Sequence, residues 1–165
     1  SLGAACTHLP PQQATWLADK VNNSNARKTM LLSHHQLFSN NETFDAKDGS
    51  SAGYTNPTLL AEVSSLLPNV ALWLWGHQHE FVAYKHPDVK ARCIGHGAYP
   101  VGISELGNNS NTFPLDPAIK PAQHGNDFWD NGYALIKLNG TQADVTYYAV
   151  DDQGNERGSP STESI

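Results

Sequence analysis

Two short apolar runs constrain the fold of this chain more than any other feature of its sequence. They occupy residues 28–33 and 70–75, and turn-forming residues bound each of them. Runs of this length between turn signals are typical of strands that are buried on both faces of a sheet. A segment with apolar residues at helical spacing precedes each run. The order helix, strand, helix, strand predicts a βαβ-like layer in this part of the chain.

Prolines mark where the two predicted helices begin. Pro10 and Pro11 open a helical pattern that we expect to extend from about residue 10 to residue 23. Asn56-Pro57 opens a second helical pattern, which Pro68 ends. Proline suits the first turn of a helix because the missing amide hydrogen has no partner there.

Two hairpins are predicted after the second apolar run. Residues 80–84 and 90–94 form the first, and residues 133–138 and 143–150 form the second. Asn139-Gly140 joins the strands of the second hairpin, and Asn-Gly is the strongest short hairpin signal. We therefore expect an α/β (α+β) chain in which two helices accompany mixed and antiparallel strands.

The remaining segments lack a regular pattern. Residues 36–56 form a polar connection of the length that functional lids or locally disordered loops have. Residues 95–130 are rich in glycine, proline and asparagine, which predicts mostly irregular structure. We divide the chain into residues 1–150, which form the domain, and residues 151–165, which we expect to be a polar, frayed C-terminal tail.

Charge and hydropathy exclude two classes of partner. Ten Lys and Arg residues oppose sixteen Asp and Glu residues, a net charge of −6, and the basic residues are scattered. Such a chain has no electrostatic footprint for a nucleic-acid polymer. Its apolar runs are far shorter than the roughly 18 residues that span a bilayer, so we expect no membrane insertion.

The two cysteines exclude a disulfide scaffold and a four-cysteine zinc site. They are Cys6 and Cys93, and we favour buried or free thiols for both. A single disulfide between them is the alternative.

Histidines end both apolar runs. His34 and His35 follow the first run, and His77 and His79 follow the second. Open α/β sheets place ligand-binding residues at the carboxyl ends of their strands. If the chain is extended there, His77 and His79 project to the same side and can serve adjacent metal ions.

The other histidines have weaker claims to a metal. His96 follows a further predicted strand and could reach the same sheet edge, but we favour a core role for it. His8, His86 and His124 lie in loops next to proline or glycine, where we favour a solvated surface role. We also expect Glu80 to point away from His77 and His79, and so not to be a ligand.

Three segments carry a resemblance to a known family. In chain order they are Gln13-Ala-Thr-Trp16-Leu17, Lys28-Thr-Met-Leu-Leu-Ser-His34-His35-Gln-Leu-Phe-Ser39 and Leu74-Trp75-Gly76-His77-Gln78-His79. Together with Gly132-Tyr133-Ala134-Leu135-Ile136 and the final hairpin, they resemble the C-terminal half of a calcineurin-like metallophosphoesterase. The resemblance covers about residues 12–150 and implies half of an αββα sandwich.

The resemblance implies a metal site and a reaction. His34 and His77 would bind one metal of a dinuclear pair and His79 the other, while His35 would lie beside the site and either contact the ligands or face the substrate. The metals would be divalent or trivalent transition ions, with Mn, Fe or Zn all suited to histidine ligands. The parent enzyme would hydrolyse a phosphomonoester or phosphodiester, in a small molecule or a phosphoprotein.

The family's N-terminal motifs do not occur in this sequence. Asp-x-His, Gly-Asp-x-x-x-Asp and Gly-Asn-His followed by an acid are all missing, and Gln36 stands where the family commonly has proline. Two dications about 3.5–4 Å apart need a bridging anion, which neutral imidazoles do not provide. We therefore expect residues 1–150 to be the C-terminal portion of a catalytic domain whose partner is the missing N-terminal half. Alone, this chain would bind at most one metal, weakly, and would be inactive.

Two other functions remain open. The chain could be a non-catalytic binding or regulatory module that keeps half of the fold. A structural mononuclear zinc domain is the third interpretation and ranks last, because such sites usually have four ligands with cysteine prominent.

Overall fold

The two apolar runs are neighbouring parallel strands in the computed structural model, which describes residues 8–40, 42–46, 48–103, 115–119, 123–124 and 127–165. Two α-helices and eleven strands occur in this part of the chain. They are, in chain order, α1 (Pro11–Asn22), β1 (Thr29–Ser33), β2 (Phe44–Asp45), β3 (Ser51–Gly53), α2 (Pro57–Val63), β4 (Val70–Trp75), β5 (Phe81–Lys85), β6 (Lys90–Ile94), β7 (Gln123–His124), β8 (Phe128–Trp129), β9 (Asn131–Asn139), β10 (Gln142–Val150) and β11 (Glu156–Ser164).

The chain is mixed α/β, as predicted, and its larger sheet has the strand order β1-β4-β6-β5. Strand β4 is parallel to β1 and to β6, whereas β5 is antiparallel to β6. Both predicted apolar strands form, and β4 has the predicted bounds. The predicted burial of β1 is wrong, because β1 is an edge strand whose residues are half-buried or exposed. Five of its six residues are buried, as its continuous apolar sequence requires.

The two faces of this sheet pack against different layers, one of helices and one of strands. Trp73 and Trp75 of β4 pack with Val21 of α1 and Val63 of α2 on one face. Leu72 and Leu74 point to the other face, where they pack with residues of β10 such as Val145 and Tyr147. Because successive side chains of a strand alternate between faces, β4 packs against the helices with one face and against a second sheet with the other.

The second sheet has the order β11-β10-β9 and is antiparallel. The predicted hairpin is β9 and β10, and Gly140, at φ +61°, allows their tight connection. The expectation of a frayed tail is wrong, because residues 156–164 form β11, paired with β10. Residues 151–165 are nevertheless as polar as predicted, apart from the buried Ile165.

The long connection between β1 and α2 is packed against the domain. Leu37, Phe38 and Phe44 are fully buried, and the hairpin of β2 and β3 lies within this segment. Asn56 ends it by capping α2, since its side-chain oxygen accepts a hydrogen bond of 3.0 Å from the amide of Leu59. Phe38 and Phe44 of the connection therefore contribute to the core.

Helix α2 ends at Val63, earlier than expected, and a single 3-10 turn, Leu67–Asn69, leads into β4. The described residues after β6 are mostly irregular up to β8, as predicted, with β7 and β8 as a two-residue pair. Neither described helix has the length and apolarity needed to cross a membrane.

Candidate metal centre

The parallel pairing of β1 and β4 brings the histidines together. Ser33 and Trp75, the last residues of the two strands, are direct partners in the sheet. Beyond them the amide of Gly76 donates a hydrogen bond of 3.3 Å to the carbonyl of Ser33. His34 and His77 therefore leave the sheet side by side at its carboxyl edge, as the sequence predicted.

Three histidines form the cluster: His34, His35 and His77. Each offers a ring nitrogen that lies within 4.8 Å of those of the other two. His34 Nε2 and His77 Nδ1 are 3.2 Å apart. Two nitrogens bound tetrahedrally to one zinc ion at 2.0–2.1 Å would be about 3.4 Å apart. The pair is therefore already spaced as two ligands of one ion, and the three imidazoles can hold a metal ion.

His35 belongs to this group and does not merely lie beside it. Its ring centroid is 4.9 Å from that of His34 and 5.0 Å from that of His77. Its Nδ1 atom is buried and lacks a hydrogen-bond partner among the described residues. An unpartnered buried nitrogen beside two other imidazoles is the donor that a metal ion would satisfy.

Burial lowers the pKa of His35, and the neighbouring His77 and His34 lower it further, while Glu42 acts in the opposite direction. Each of the two largest causes disfavours the imidazolium form. Metal ligation requires the neutral form of the ring, in which a nitrogen has a lone pair to donate.

The backbone of His77 has φ +63°, in the left-handed region. Few residues other than glycine adopt this conformation, and it recurs at functional sites where the surrounding structure enforces it. Here the amide of Gln78 donates to the carbonyl of Gly76 at 2.8 Å, which closes a tight turn around His77. The turn directs the imidazole toward His34.

The same turn separates His77 from His79. The predicted placement of both imidazoles on one side requires an extended chain, and the backbone at His77 is not extended. His79 is exposed and lies outside the three-histidine group. Glu80 is fully buried and also lies outside that group.

Sequence reasoning missed Glu42, whose Oε2 atom lies 3.6 Å from His77 Nε2. Glu42 stands in an aperiodic polar connection, where the sequence contains no signal that would single it out. Only the folding of this connection over the end of β4 brings the carboxylate to the cluster.

The remaining histidines lie elsewhere. His96 is buried against Phe81, with ring centroids 5.2 Å apart, and burial lowers its pKa, so the predicted core role is confirmed. His8 is exposed, as expected. His86 is half-buried and stacks on Phe38 with ring centroids 5.3 Å apart, so the fully solvated role expected for it is wrong. The backbone of His124 is part of β7.

Cys93 is a free, buried thiol, as favoured from the sequence, whereas Cys6 lies outside the described residues. A groove with a volume of about 710 Å³ runs between α1 and β1 and reaches His34 and His35 at one end. Its lining is mainly apolar and includes Leu17 and Met30.

No family model matches this sequence, and no curated protein is significantly similar to it.

Proposed function

We propose that His34, His35 and His77 bind one transition-metal ion and that this site is one half of a dinuclear phosphoesterase centre. The observation that carries the proposal is the convergence of three imidazole donors at the carboxyl edge of the sheet, with two of them 3.2 Å apart. Imidazole suits zinc, copper, iron and nickel better than it suits calcium or magnesium. Three protein ligands also leave a coordination position open, which is typical of catalytic zinc sites.

One ion is the expected stoichiometry for this chain. Neutral imidazoles supply no negative charge, and a second dication nearby would be strongly repelled without a bridging anion. In the part of the chain that the structure describes, the three histidines are the only group of three or more His, Cys, Asp or Glu side chains that could hold a metal ion. The second metal would require the carboxylates of the N-terminal half that the family resemblance implies.

Zinc binding can be measured by isothermal titration calorimetry of the purified chain. We expect one zinc ion per chain and a loss of affinity of at least about tenfold in His77→Ala. The matched control is His8→Ala, which removes an exposed imidazole outside the cluster. An absence of binding heat and of zinc retained on equilibrium dialysis, or equal affinities for the wild type and His77→Ala, would contradict the proposed metal site.

The phosphoesterase part of the proposal is supported by the order of the motifs that end at His34, His77 and His79. A metal bound there would polarise a phosphoryl oxygen as a Lewis acid. The substrate would be a phosphate ester, either a small molecule or a phosphoprotein. We expect this chain alone to hydrolyse an aryl phosphate only at the background rate, and the full-length parent to be active with manganese.

A phosphatase assay of the purified chain with manganese or zinc tests whether this chain lacks the half of the enzyme that activity requires. If the chain turns over the aryl phosphate and His77→Ala abolishes the turnover, the inference that a half is missing is wrong while the metal site stands.

A non-catalytic module is the second candidate function. It is favoured by the single donor cluster of the described residues and by the absence of the N-terminal motifs from the sequence. The encoding gene separates the two candidates. A gene that continues upstream into Asp-x-His and Gly-Asp segments supports the enzyme, and a gene that does not supports the module.

A further inference from the structure

A polar network joins the two segments that carry the histidines. The carboxylate of Glu42 accepts a hydrogen bond of 2.6 Å from Gln36 Nε2. The amide of Glu42 donates to Ser39 Oγ at 2.7 Å, and the same hydroxyl accepts from Gln78 Nε2 at 2.7 Å. Gln36, Ser39 and Gln78 are all buried. Breaking the bond between Ser39 and Gln78 would leave a desolvated polar group, and Glu42, with 36% of its side chain exposed, is the partly solvated end of the network.

The network acts on the histidines through their sequence neighbours. Gln36 directly follows His35, and Gln78 directly follows His77. Gln36 donates to Glu42, Gln78 donates to Ser39, and the amide of Glu42 donates to Ser39, which completes the chain of bonds between the two glutamines. The network therefore fixes the position of the Glu42 carboxylate relative to the turn that contains His77.

The two ring nitrogens of His77 face different groups. Nδ1 lies 3.2 Å from His34 Nε2, inside the cluster. Nε2 lies 3.6 Å from Glu42 Oε2, outside it. A movement of about 0.7 Å would bring the second pair to the usual hydrogen-bond distance. A histidine that binds a metal through one nitrogen commonly donates its other N–H to a carboxylate.

We propose that Glu42 is a positioning residue for the metal site. It accepts the Nε2–H of His77 and so holds the neutral ring in the tautomer whose Nδ1 lone pair points into the cluster. This role of Glu42 rests on the proposed metal-binding function. The tautomer of His77, in contrast, can be measured in the metal-free protein. A carboxylate in this place also contributes negative charge beside the three imidazoles.

Nitrogen NMR of the imidazole rings tests the tautomer directly. In the metal-free protein at pH 8, we expect the His77 signals of the Nε2–H form in the wild type and a substantial population of the Nδ1–H form in Glu42→Gln. The control is Asp48→Asn, which removes an exposed carboxylate from the same connection and should leave the tautomer unchanged. A wild-type His77 in the Nδ1–H form would overturn the proposal without reference to any variant, as would a Glu42→Gln spectrum identical to that of the wild type.

Zinc affinity supplies the second measurement. We expect Glu42→Gln to bind zinc about 10- to 100-fold more weakly than the wild type, as is typical when the partner of a ligating histidine is removed. Asp48→Asn should match the wild type, and equal thermal midpoints would exclude a general loss of structure. Unchanged affinity in a Glu42→Gln protein whose tautomer has shifted would show that Glu42 does not support metal binding, and would overturn its role in the site. If the wild type binds no zinc at all, the proposed function fails, whereas the NMR result still decides the hydrogen bond between Glu42 and His77.

Discussion

Arg92 of β6 and Glu163 of β11 form a two-bond ion pair between the two sheets. Arg92 Nε donates to Oε1 and Nη2 to Oε2, each at 2.9 Å. The guanidinium also donates to the carbonyl of Tyr84 at 2.9 Å and to Asp116 at 3.1 Å, while Tyr147 donates its hydroxyl to Glu163 at 2.7 Å. Only 2% of the Arg92 side chain and 10% of the Glu163 side chain are exposed. The pair therefore joins the C-terminal strand to the sheet that carries the histidines.

Removal of Glu163 should destabilise the protein strongly. Glu163→Ala leaves a buried guanidinium with one remaining carboxylate, Asp116, and breaking a buried ion pair in this way typically costs about 3–5 kcal/mol. Denaturant unfolding followed by tryptophan fluorescence gives the difference in the free energy of unfolding. Glu156→Ala, in an exposed position of the same strand, is the control and should change this free energy by less than about 0.5 kcal/mol. Equal effects of the two substitutions would show that the ion pair does not stabilise the fold.

Strand β11 also shows where sequence patterns stop being informative. Residues 156–164 are polar throughout and contain Gly158 and Pro160, so no alternation marks them as a strand. They form an edge strand, which has a partner strand on one side only and therefore tolerates proline. Pairing with β10 and the contact of Glu163 with Arg92 hold the segment, and both partners are distant in the sequence. Strand β4, in contrast, was predicted with its bounds because its burial on both faces selects a continuous apolar run.

The candidate metal site also has one part that the sequence predicts and one part that it does not. The proximity of His34 and His77 was predictable because each follows one of the two apolar strands. The carboxyl ends of neighbouring parallel strands lie at the same edge of a sheet. The exclusion of His79 depends on the left-handed conformation of His77, which a periodicity argument that assumes an extended chain does not include. The position of Glu42 depends on the packing of a long aperiodic connection, which has no local signature.

The stability of the protein should fall as pH rises through the range set by Glu80. Burial, and next the negative charge of Glu42, raise the pKa of Glu80 from its ordinary value of 4.5 to about 8. Both carboxyl oxygens are buried, with no hydrogen-bond partner among the described residues. Between these pH values the unfolded chain loses the Glu80 proton and the folded chain keeps it, so each pH unit favours unfolding by up to about 1.4 kcal/mol. Above the folded pKa the effect is constant.

Glu80→Gln isolates this effect, because the amide has nearly the same shape and does not titrate. The free energy of unfolding, measured for both proteins from pH 5 to pH 8.5, should decrease more with pH in the wild type than in the variant. Subtracting one curve from the other cancels the contributions of His35 and His96. Their lowered pKa values make the free energy of unfolding rise with pH, which is opposite to the effect of Glu80. Parallel curves would mean that Glu80 ionises normally in the folded protein.

Gly95 should tolerate no side chain, because the end of β6 passes close to the turn that carries His77. A Cβ atom at Gly95 would overlap the carbonyl oxygen of Gln78 and lie 2.8 Å from its carbonyl carbon. Gly95→Ala therefore has to displace the backbone of this turn, and we expect it to lower the free energy of unfolding by more than about 2 kcal/mol. Zinc affinity should fall as well, since His77 precedes Gln78. Thermal unfolding and zinc titration measure the two effects.

Gly76→Ala is the matched control, because a Cβ atom there would come no closer than 3.9 Å to His34. We expect that variant to stay within about 1 kcal/mol of the wild type. Similar stabilities for the two glycine variants would show that the backbone at Gly95 adjusts without disturbing the turn.

Zinc titration of His35→Ala and His79→Ala distinguishes the cluster in the structure from the ligand set that the family resemblance implies. The structure groups His35 with His34 and His77, and it leaves His79 exposed and outside that group. We expect His35→Ala to bind zinc at least about tenfold more weakly, because a lost ligand should cost no less than a lost partner of a ligand. His79→Ala should remain within about threefold of the wild type, a difference smaller than 1 kcal/mol in binding free energy. Circular dichroism spectra that match the wild type would show that both variants are folded. The reverse order of affinities, with His79→Ala the weaker, would mean that the turn at His77 rearranges when metal binds and that His79 replaces His35 as a ligand.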